Sequence, residues 1–382
     1  MTGTPDTTRM KAELAALVAF DTQNPPGREI EAGQYIVARL AEAGFDTSLT
    51  EYKSGRTNVV ARLARGPGPV FAFNTHIDVV PAGEGWSSDP FTLTDRSGKL
   101  YGRGACDAKG PLAAMLEALR MLKADPSWSG TLLGVFTADE ETASEGARHY
   151  AKGKPRVDFA VIREPTSNAT VTAHKGSMRP IVCVHGRTAH SGTPHLGLNA
   201  IYEAAKLTRL VEQHHAEVVS KRSHPLVGNA SLTITRIHGG HADNVIPDRC
   251  ELLLDRRMVP GEEETEAAQE IKKLLDKAGK YGIRAEVTGY RATTGGPTET
   301  VRDAAIVAAS LAASRRHGTI DPGPFGFQGG CDLVHFRSLG ATGVVVGPGD
   351  LAVAHKPDEF VPADELVAAS LIYRDIALSM LG

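Results

Sequence analysis

Four short apolar runs in this chain each hand over to an acid or a histidine, and that pattern restricts the fold more than any other feature. Residues 69–73 lead into Thr75-His76-Ile77-Asp78, residues 131–137 into Ala138-Asp139-Glu140-Glu141, residues 159–162 into Glu164, and residues 343–346 into a loop that holds His355. Runs of this length, rich in Val, Leu and Phe, read as buried strands. In open α/β sheets, ligands gather at the C-terminal ends of the strands. The sequence therefore predicts an α/β domain with a polar site along one sheet edge, and helices over 8–20 and 29–43 as part of its cover.

The residue types at those ends specify the chemistry. His76, Asp107, Glu141, Glu164 and His355 supply two imidazoles and three carboxylates. Such a set suits zinc, cobalt or manganese, whereas thiolate-rich sets favour structural zinc or iron–sulfur clusters. With one carboxylate bridging, five ligands hold two divalent ions and leave positions open for a water and a substrate oxygen. Asp78 lies two residues past His76 on a strand of period two, so it faces the same way and is placed to steady the imidazole. Glu140 precedes Glu141 in a run of three acids, whose mutual repulsion calls for a compensating cation. Its expected role is to take a proton from water and return it to a leaving nitrogen.

Asp107 stands in Tyr101-Gly102-Arg103-Gly104-Ala105-Cys106-Asp107-Ala108-Lys109-Gly110, a glycine-punctuated loop opening into a helix over 111–122. An acid just before a helix that starts with Pro111 also fits an N-cap, and the two roles are compatible.

The 382 residues allow two domains, and 41% hydrophobic content with few aromatics suits an ordinary α/β protein. A net charge of -3 without a basic tract argues against nucleic acid as a partner. Cys106, Cys183, Cys250 and Cys331 are widely spaced and form no CxxC, which suits a reducing compartment. No apolar stretch approaches membrane-spanning length, and the first ten residues are polar, so a cytoplasmic protein is expected.

From about residue 178 the rhythm changes. Segments 180–184, 198–213, 230–237, 250–256, 262–278 and 284–287 read as strand, helix, two strands, helix, strand, the order of a two-layer α+β (ferredoxin-like) domain with an antiparallel sheet. His355 lies beyond this segment. The metal-binding domain is therefore expected to be discontinuous, 1–177 with 291–382, around an inserted domain of 178–290.

Six runs now stand in order: Thr75-His76-Ile77-Asp78-Val79-Val80-Pro81, Trp86 with Asp89-Pro90-Phe91, the 102–110 loop, Asp139-Glu140-Glu141, Glu164-Pro165-Thr166 and Ala354-His355-Lys356-Pro357-Asp358-Glu359. Over essentially its whole length the chain resembles the zinc aminoacylase and exopeptidase family that includes acetylornithine deacetylase, succinyl-diaminopimelate desuccinylase, aminoacylase and the glutamate carboxypeptidases. The resemblance implies a mixed-sheet, metallopeptidase-like catalytic domain with an inserted dimerisation or lid domain. It puts His76 and Glu164 on one ion, Glu141 and His355 on the other, and Asp107 between them before a cis peptide to Ala108. It also makes Glu140 the general acid/base and Asp78 the support of His76. Ala108, where Met is common, and Asn74, where Gly is common, are mild departures that remove no ligand.

In the inserted domain the run Gly186-Arg187-Thr188-Ala189-His190-Ser191-Gly192-Thr193-Pro194 resembles the family element whose histidine stabilises an oxyanion, often from the partner subunit. This implies a homodimer. Asn244 and the Arg256-Arg257 pair match the substrate-recognition elements, and a guanidinium fork there suits a free α-carboxylate. Strand alternation sends Arg256 and Arg257 to opposite faces, so only one should reach the site, and the resemblance favours Arg256. Gly329, Gly330 and Cys331 are candidates to offer backbone N–H groups to the same carboxylate. Runs 347–349, 354–359 and 244–263 look more like acetylornithine deacetylase than the desuccinylase. The expected activity is metal-dependent hydrolysis of a linear amide in an N-acyl amino acid. A metallo-dipeptidase or carboxypeptidase acting on dipeptides, or a succinyl-diaminopimelate desuccinylase, is the alternative. A non-catalytic binding protein on this fold would be marked by loss of Glu140 or of a ligand, and none is lost.

Overall fold

The computed structural model describes residues 3–382. The chain forms two compact units, one running to Thr172 and including Thr300–Gly326 and Cys331–Gly382, the other Ala173–Glu299 with Phe327–Gly330. The inserted unit starts before residue 178 because Gly176 and Ser177 already pair with Met258 and Arg257 in its sheet.

The longer strands of the two principal sheets are, in chain order, β1 (Asp46–Lys53), β2 (Arg56–Arg65), β3 (Val70–His76), β4 (Gly130–Thr137), β5 (Phe159–Ile162), β6 (Val171–His174), β7 (Gly176–His185), β8 (Ser231–Gly239), β9 (Arg249–Met258), β10 (Arg284–Arg291) and β11 (Thr342–Val345). The larger sheet runs β1-β2-β4-β3-β5-β11-β6, and the short segments Thr298–Glu299 and Phe325–Phe327 both pair with β6. β4, β3, β5 and β11 are mutually parallel, while β1, β2 and β6 run against their neighbours, so the sheet is mixed. Parallel strands finish on one edge. Residues following His76, Thr137, Ile162 and Val345 are therefore delivered to the same side of the unit.

Helices α1 (Thr7–Ala19), α2 (Ile30–Glu42) and α3 (Lys109–Ala124) share one apolar cluster with α7 (Ala305–Arg316) and α9 (Ala363–Leu381). α3 is buried nearly all round through Leu112, Ala113, Ala114, Met115, Leu116 and Leu119, which places it centrally against α1, α9 and β3. Phe71 and Phe73 of β3 join that cluster, and Ala72 between them is buried outside it, so both sheet faces are covered. α4 (Glu145–Lys152) and α8 (Leu333–Ser338) pack on one another and on β2, β5 and β11. At the start of α3 a Cβ on Gly110 would collide with the carbonyl oxygen of Ala105, so glycine lets the 102–110 loop close onto the helix. The N-cap is Ala108, without a side-chain cap bond. Asp107 is not the cap, and its carboxylate is free to serve elsewhere.

In the second unit the antiparallel sheet runs β8-β9-β7-β10 and carries α5 (Ala200–Glu217) and α6 (Glu264–Gly279). Numbered along the unit this is order 2-3-1-4 in a β-α-β-β-α-β chain, the ferredoxin-like arrangement expected. Strict alternation along β9 buries Leu252, Leu254, Arg256 and Met258. Among the described residues no helix is long and apolar enough to cross a membrane.

Candidate metal centre

His76 closes β3 with its ring buried. Its Nδ1 donates to the carbonyl oxygen of Asp78 at 2.9 Å and lies 3.5 Å from the Asp78 carboxylate. The main-chain oxygen of Asp78 thus takes the shorter contact to the ring, where the sequence pointed to its carboxylate. The Asp78 carboxylate accepts from the backbone N–H of Glu140 at 3.1 Å, that of Glu141 at 3.2 Å, and the Asn24 side chain at 2.8 Å. One buried acid therefore sets both His76 and the loop after β4.

Nε2 of His76 faces Oδ1 of Asp107 at 3.0 Å. Burial opposes a charge on the ring, but its hydrogen bonds to Asp107 and Asp78 push His76 well above its usual range, so an ion here would replace a proton held between the two groups. The other oxygen of Asp107 lies 3.2 Å from Nε2 of His355, which is 3.1 Å from Oε2 of Glu141. Asp107 thus addresses each histidine with a different oxygen, as a bridging carboxylate must, and its peptide to Ala108 is cis. Ligand atoms of His76, Asp107 and Glu141 lie within 4.8 Å of one another. Oε1 of Glu141 is buried with no hydrogen-bond partner among the described residues. Paired imidazoles, convergent carboxylates and an unsatisfied buried oxygen fit divalent ions.

The electrostatics agree. Burial and the neighbouring Glu164 push Glu140 well above the usual carboxylate range. Burial pushes Glu164 up to about 8 against the pull of Arg163, with Asp107 and Glu141 adding to the rise. Burial alone would raise Asp107, but Arg163 and the hydrogen bonds of His355 and His76 hold it well below its usual range. Its bonds to Asp107 and Glu141 push His355 up to about 11. Metal ligation requires that imidazolium proton to leave, so binding here releases protons. His355 also sits at φ 64, a left-handed conformation rare outside glycine and common at functional positions.

Asp139, first of the three consecutive acids, turns away from this cluster. Its Oδ1 accepts from Arg56 and Asn24 at 2.9 Å and from Thr142 at 2.6 Å. Arg56 is thus its compensating cation.

Several contributors were not foreseen. Glu359 is buried and accepts from the backbone N–H groups of Cys106 and Asp107, both at 2.9 Å, while its second oxygen pairs with Arg103. The Arg103 guanidinium lies over Trp86, 5.0 Å from the ring centre. Arg163 extends from the end of β5 with its side chain fully buried. Its Nη2 is 2.8 Å from Nε2 of His76 and 2.8 Å from Oδ1 of Asp107. Asp332 is buried and accepts from Thr137 at 2.9 Å. The signal for Arg103 and Glu359 was their place inside runs already singled out; no local pattern marks Arg163.

The peptidase family M20/M25/M40 model matches residues 72–379, a span that holds all five candidate ligands and Glu140. The chain belongs to this family. A probable succinyl-diaminopimelate desuccinylase of Staphylococcus epidermidis is 30% identical over 394 residues, covering 95% of each chain. An acetylornithine deacetylase of Photorhabdus laumondii is 32% identical over 345 residues, 84% of this chain and 83% of its own. The fold is that of aminopeptidase PepT from Bacillus cereus, with a TM-score of 0.80 at 21% identity over 99% of this chain and 100% of that one. It is also that of YXEP from Bacillus subtilis, described as a dinuclear metal binding peptidase, with a TM-score of 0.74 at 20% identity and 98% coverage of both.

The remaining candidates of this M20-family chain lie mostly in the second unit. His190 is exposed, pairs with Val245 in a short ladder, and its Nδ1 accepts from the backbone N–H of Gly192 at 3.0 Å. The proton is therefore on Nε2. Asn244 is drawn to the same ladder, its carbonyl accepting from the Ser191 N–H at 3.0 Å. Arg256 is fully buried and paired with Glu262, with Glu270 3.7 Å away. Its guanidinium is engaged by these two carboxylates inside the unit. Arg257 is the more exposed neighbour, held by Asp255 at 2.6 Å. Gly329 and Gly330 fall in the short 327–330 segment of the second unit, and Cys331 in the first, fully buried, its thiol pushed well up by burial and by Glu164.

Proposed function

We propose that this chain is a metal-dependent amidohydrolase that removes the acyl group from an N-acyl amino acid, in the manner of an acetylornithine deacetylase. One observation carries the reading: Asp107 turns a different oxygen to each of two histidines, in a cluster that also holds Glu140. The choice of an acyl amino acid draws support from the curated relatives, which are named as deacylases at 30% and 32% identity. The peptidases of like fold are only 21% and 20% identical and bear on the fold alone.

His76 and Glu164 would hold one divalent ion and Glu141 and His355 the other, with Asp107 between. Zinc is the first choice, and cobalt and manganese accept the same ligands. When bound, such ions supply Lewis acidity for the substrate carbonyl and make a water acidic enough to lose a proton near neutral pH. Glu140 takes the proton from the attacking water and passes it to the amine nitrogen as the C–N bond breaks. Asp78 holds the Glu140 backbone and Glu359 that of Asp107, which keeps both carboxylates in register. His190 offers its Nε2–H to the oxyanion, in a homodimer as the resemblance implies. The four cysteines are free and buried, in keeping with a reducing compartment.

The test is release of primary amine by zinc- or cobalt-loaded protein from N-acetyl, N-succinyl and N-formyl amino acids and from dipeptides, beside a chelated control. Chelator-sensitive release from one N-acyl amino acid is expected. Preference for dipeptides would promote the metallo-dipeptidase, which breaks the same kind of bond beside a free carboxylate.

A further inference from the structure

The two sides of this centre are not alike. On the side of Glu141 and His355, the contact to Asp107 comes from His355, with no lysine or arginine joining it among the described residues. On the side of His76, Nη2 of Arg163 lies at 2.8 Å from both Nε2 of His76 and Oδ1 of Asp107. Those are the two atoms that face one another across 3.0 Å and that an ion on this side would use. A metal bond needs each lone pair pointed at an ion about 2.0–2.2 Å away. A guanidinium N–H and a metal ion cannot use the same lone pairs together.

The guanidinium is held in place rather than passing through. Its Nε donates to Thr75 Oγ1 at 3.2 Å, its backbone N–H donates to the Asn74 carbonyl at 3.1 Å, and the side chain has no exposure. Nη1 is buried without a hydrogen-bond partner among the described residues, so the group is anchored mainly by the two ligand atoms. Arginine cannot shed its charge to make way for an ion.

We propose that Arg163 is a tethered cation that competes with the ion on the His76 and Glu164 side. The inference rests on the metal-centre reading above and adds an order to it. The first divalent ion binds through Glu141, His355 and Asp107 with Arg163 in place. The second binds only as the guanidinium leaves His76 and Asp107, so its affinity is lower and is set by Arg163.

The experiment is calorimetric and spectroscopic titration of Co²⁺ alone into chelator-stripped full-length protein, for the wild type, Arg163→Met and Arg163→Lys. Methionine keeps much of the buried volume without charge, and lysine restores a charge. The wild type should bind one Co²⁺ at least ten-fold more tightly than the second. Arg163→Met should tighten the second ion ten-fold or more and leave the first within about two-fold, which also reports an intact fold; Arg163→Lys should fall between. Two ions of equal affinity in the wild type, or a second-ion affinity that Arg163→Met leaves unchanged, would overturn the proposal while sparing the metal centre. No Co²⁺ bound above the level of an Asp107→Asn control would overturn both.

Discussion

Glu359 accepts the backbone N–H of Asp107 at 2.9 Å, so the last acid of one run sets the position of the acid proposed as the bridge in another. Its second oxygen neutralises the buried Arg103. Glu359→Ala would strand that guanidinium and release the Asp107 loop. The expected cost is about 3–5 kcal/mol of stability, read by urea unfolding, with a roughly 10–100-fold loss of metal affinity. Wild-type values for both would remove Glu359 from the account.

Asp78 joins His76 to the loop after β4 through three backbone contacts. Replacing its carboxylate in Asp78→Ala leaves the His76 Nδ1 bond to the main chain but frees the N–H groups of Glu140 and Glu141. A drop in kcat/KM of about 10–100-fold is expected with the fold retained. Circular dichroism beside steady-state rates decides it, and an unchanged rate would show that the loop holds itself.

How much of this was legible in the sequence depended on the range of the interaction. Strand ends were readable because burial and alternation are local, and 159–162 emerges as β5 with the same bounds. The candidate ligands could be picked out because each closes an apolar run or stands in a glycine loop, and the structure gathers His76, Asp107 and Glu141 into one group with His355 against them. Arg163 was not, since nothing local shows that its side chain folds back onto His76 and Asp107. Alternation correctly separated Arg256 from Arg257, yet gave no sign of which would face inward. That was decided by Glu262 and Glu270 of the following segment, which take up the Arg256 charge inside the second unit. Asp107 satisfied the sequence pattern of an N-cap, and the three-dimensional pull of two histidines and an arginine decided otherwise.

His174 gives a pH signature away from the ligands. It is buried, with Nδ1 donating to the Lys175 carbonyl at 3.0 Å and Nε2 lacking a partner among the described residues. Burial holds its pKa down to about 4, against an ordinary 6.5. Between those values the unfolded chain binds a proton that the folded chain refuses. Stability from this group is therefore complete above pH 6.5 and is lost as pH falls towards 4, approaching about 3 kcal/mol in all. Urea titrations at about pH 4.5 and 7.5 should show a smaller acid loss for His174→Gln than for the wild type. Equal losses would contradict the assignment.

His190 carries its ring proton on Nε2, the nitrogen not engaged by Gly192. If that proton serves the oxyanion, His190→Ala should lower kcat by about a hundred- to a thousand-fold and leave Co²⁺ binding unchanged. A rise in KM with kcat intact would reduce His190 to a substrate contact.

The most direct test of the whole account is the rate of amine release from the best N-acyl amino acid by the wild type and by Glu140→Gln, loaded to equal metal content. Glutamine keeps the shape and cannot carry the proton. The account predicts release by the wild type that chelation abolishes, and a kcat lower by roughly a hundred- to ten-thousand-fold in Glu140→Gln with KM little changed. A Glu140→Gln variant that hydrolyses the substrate at the wild-type rate would contradict it.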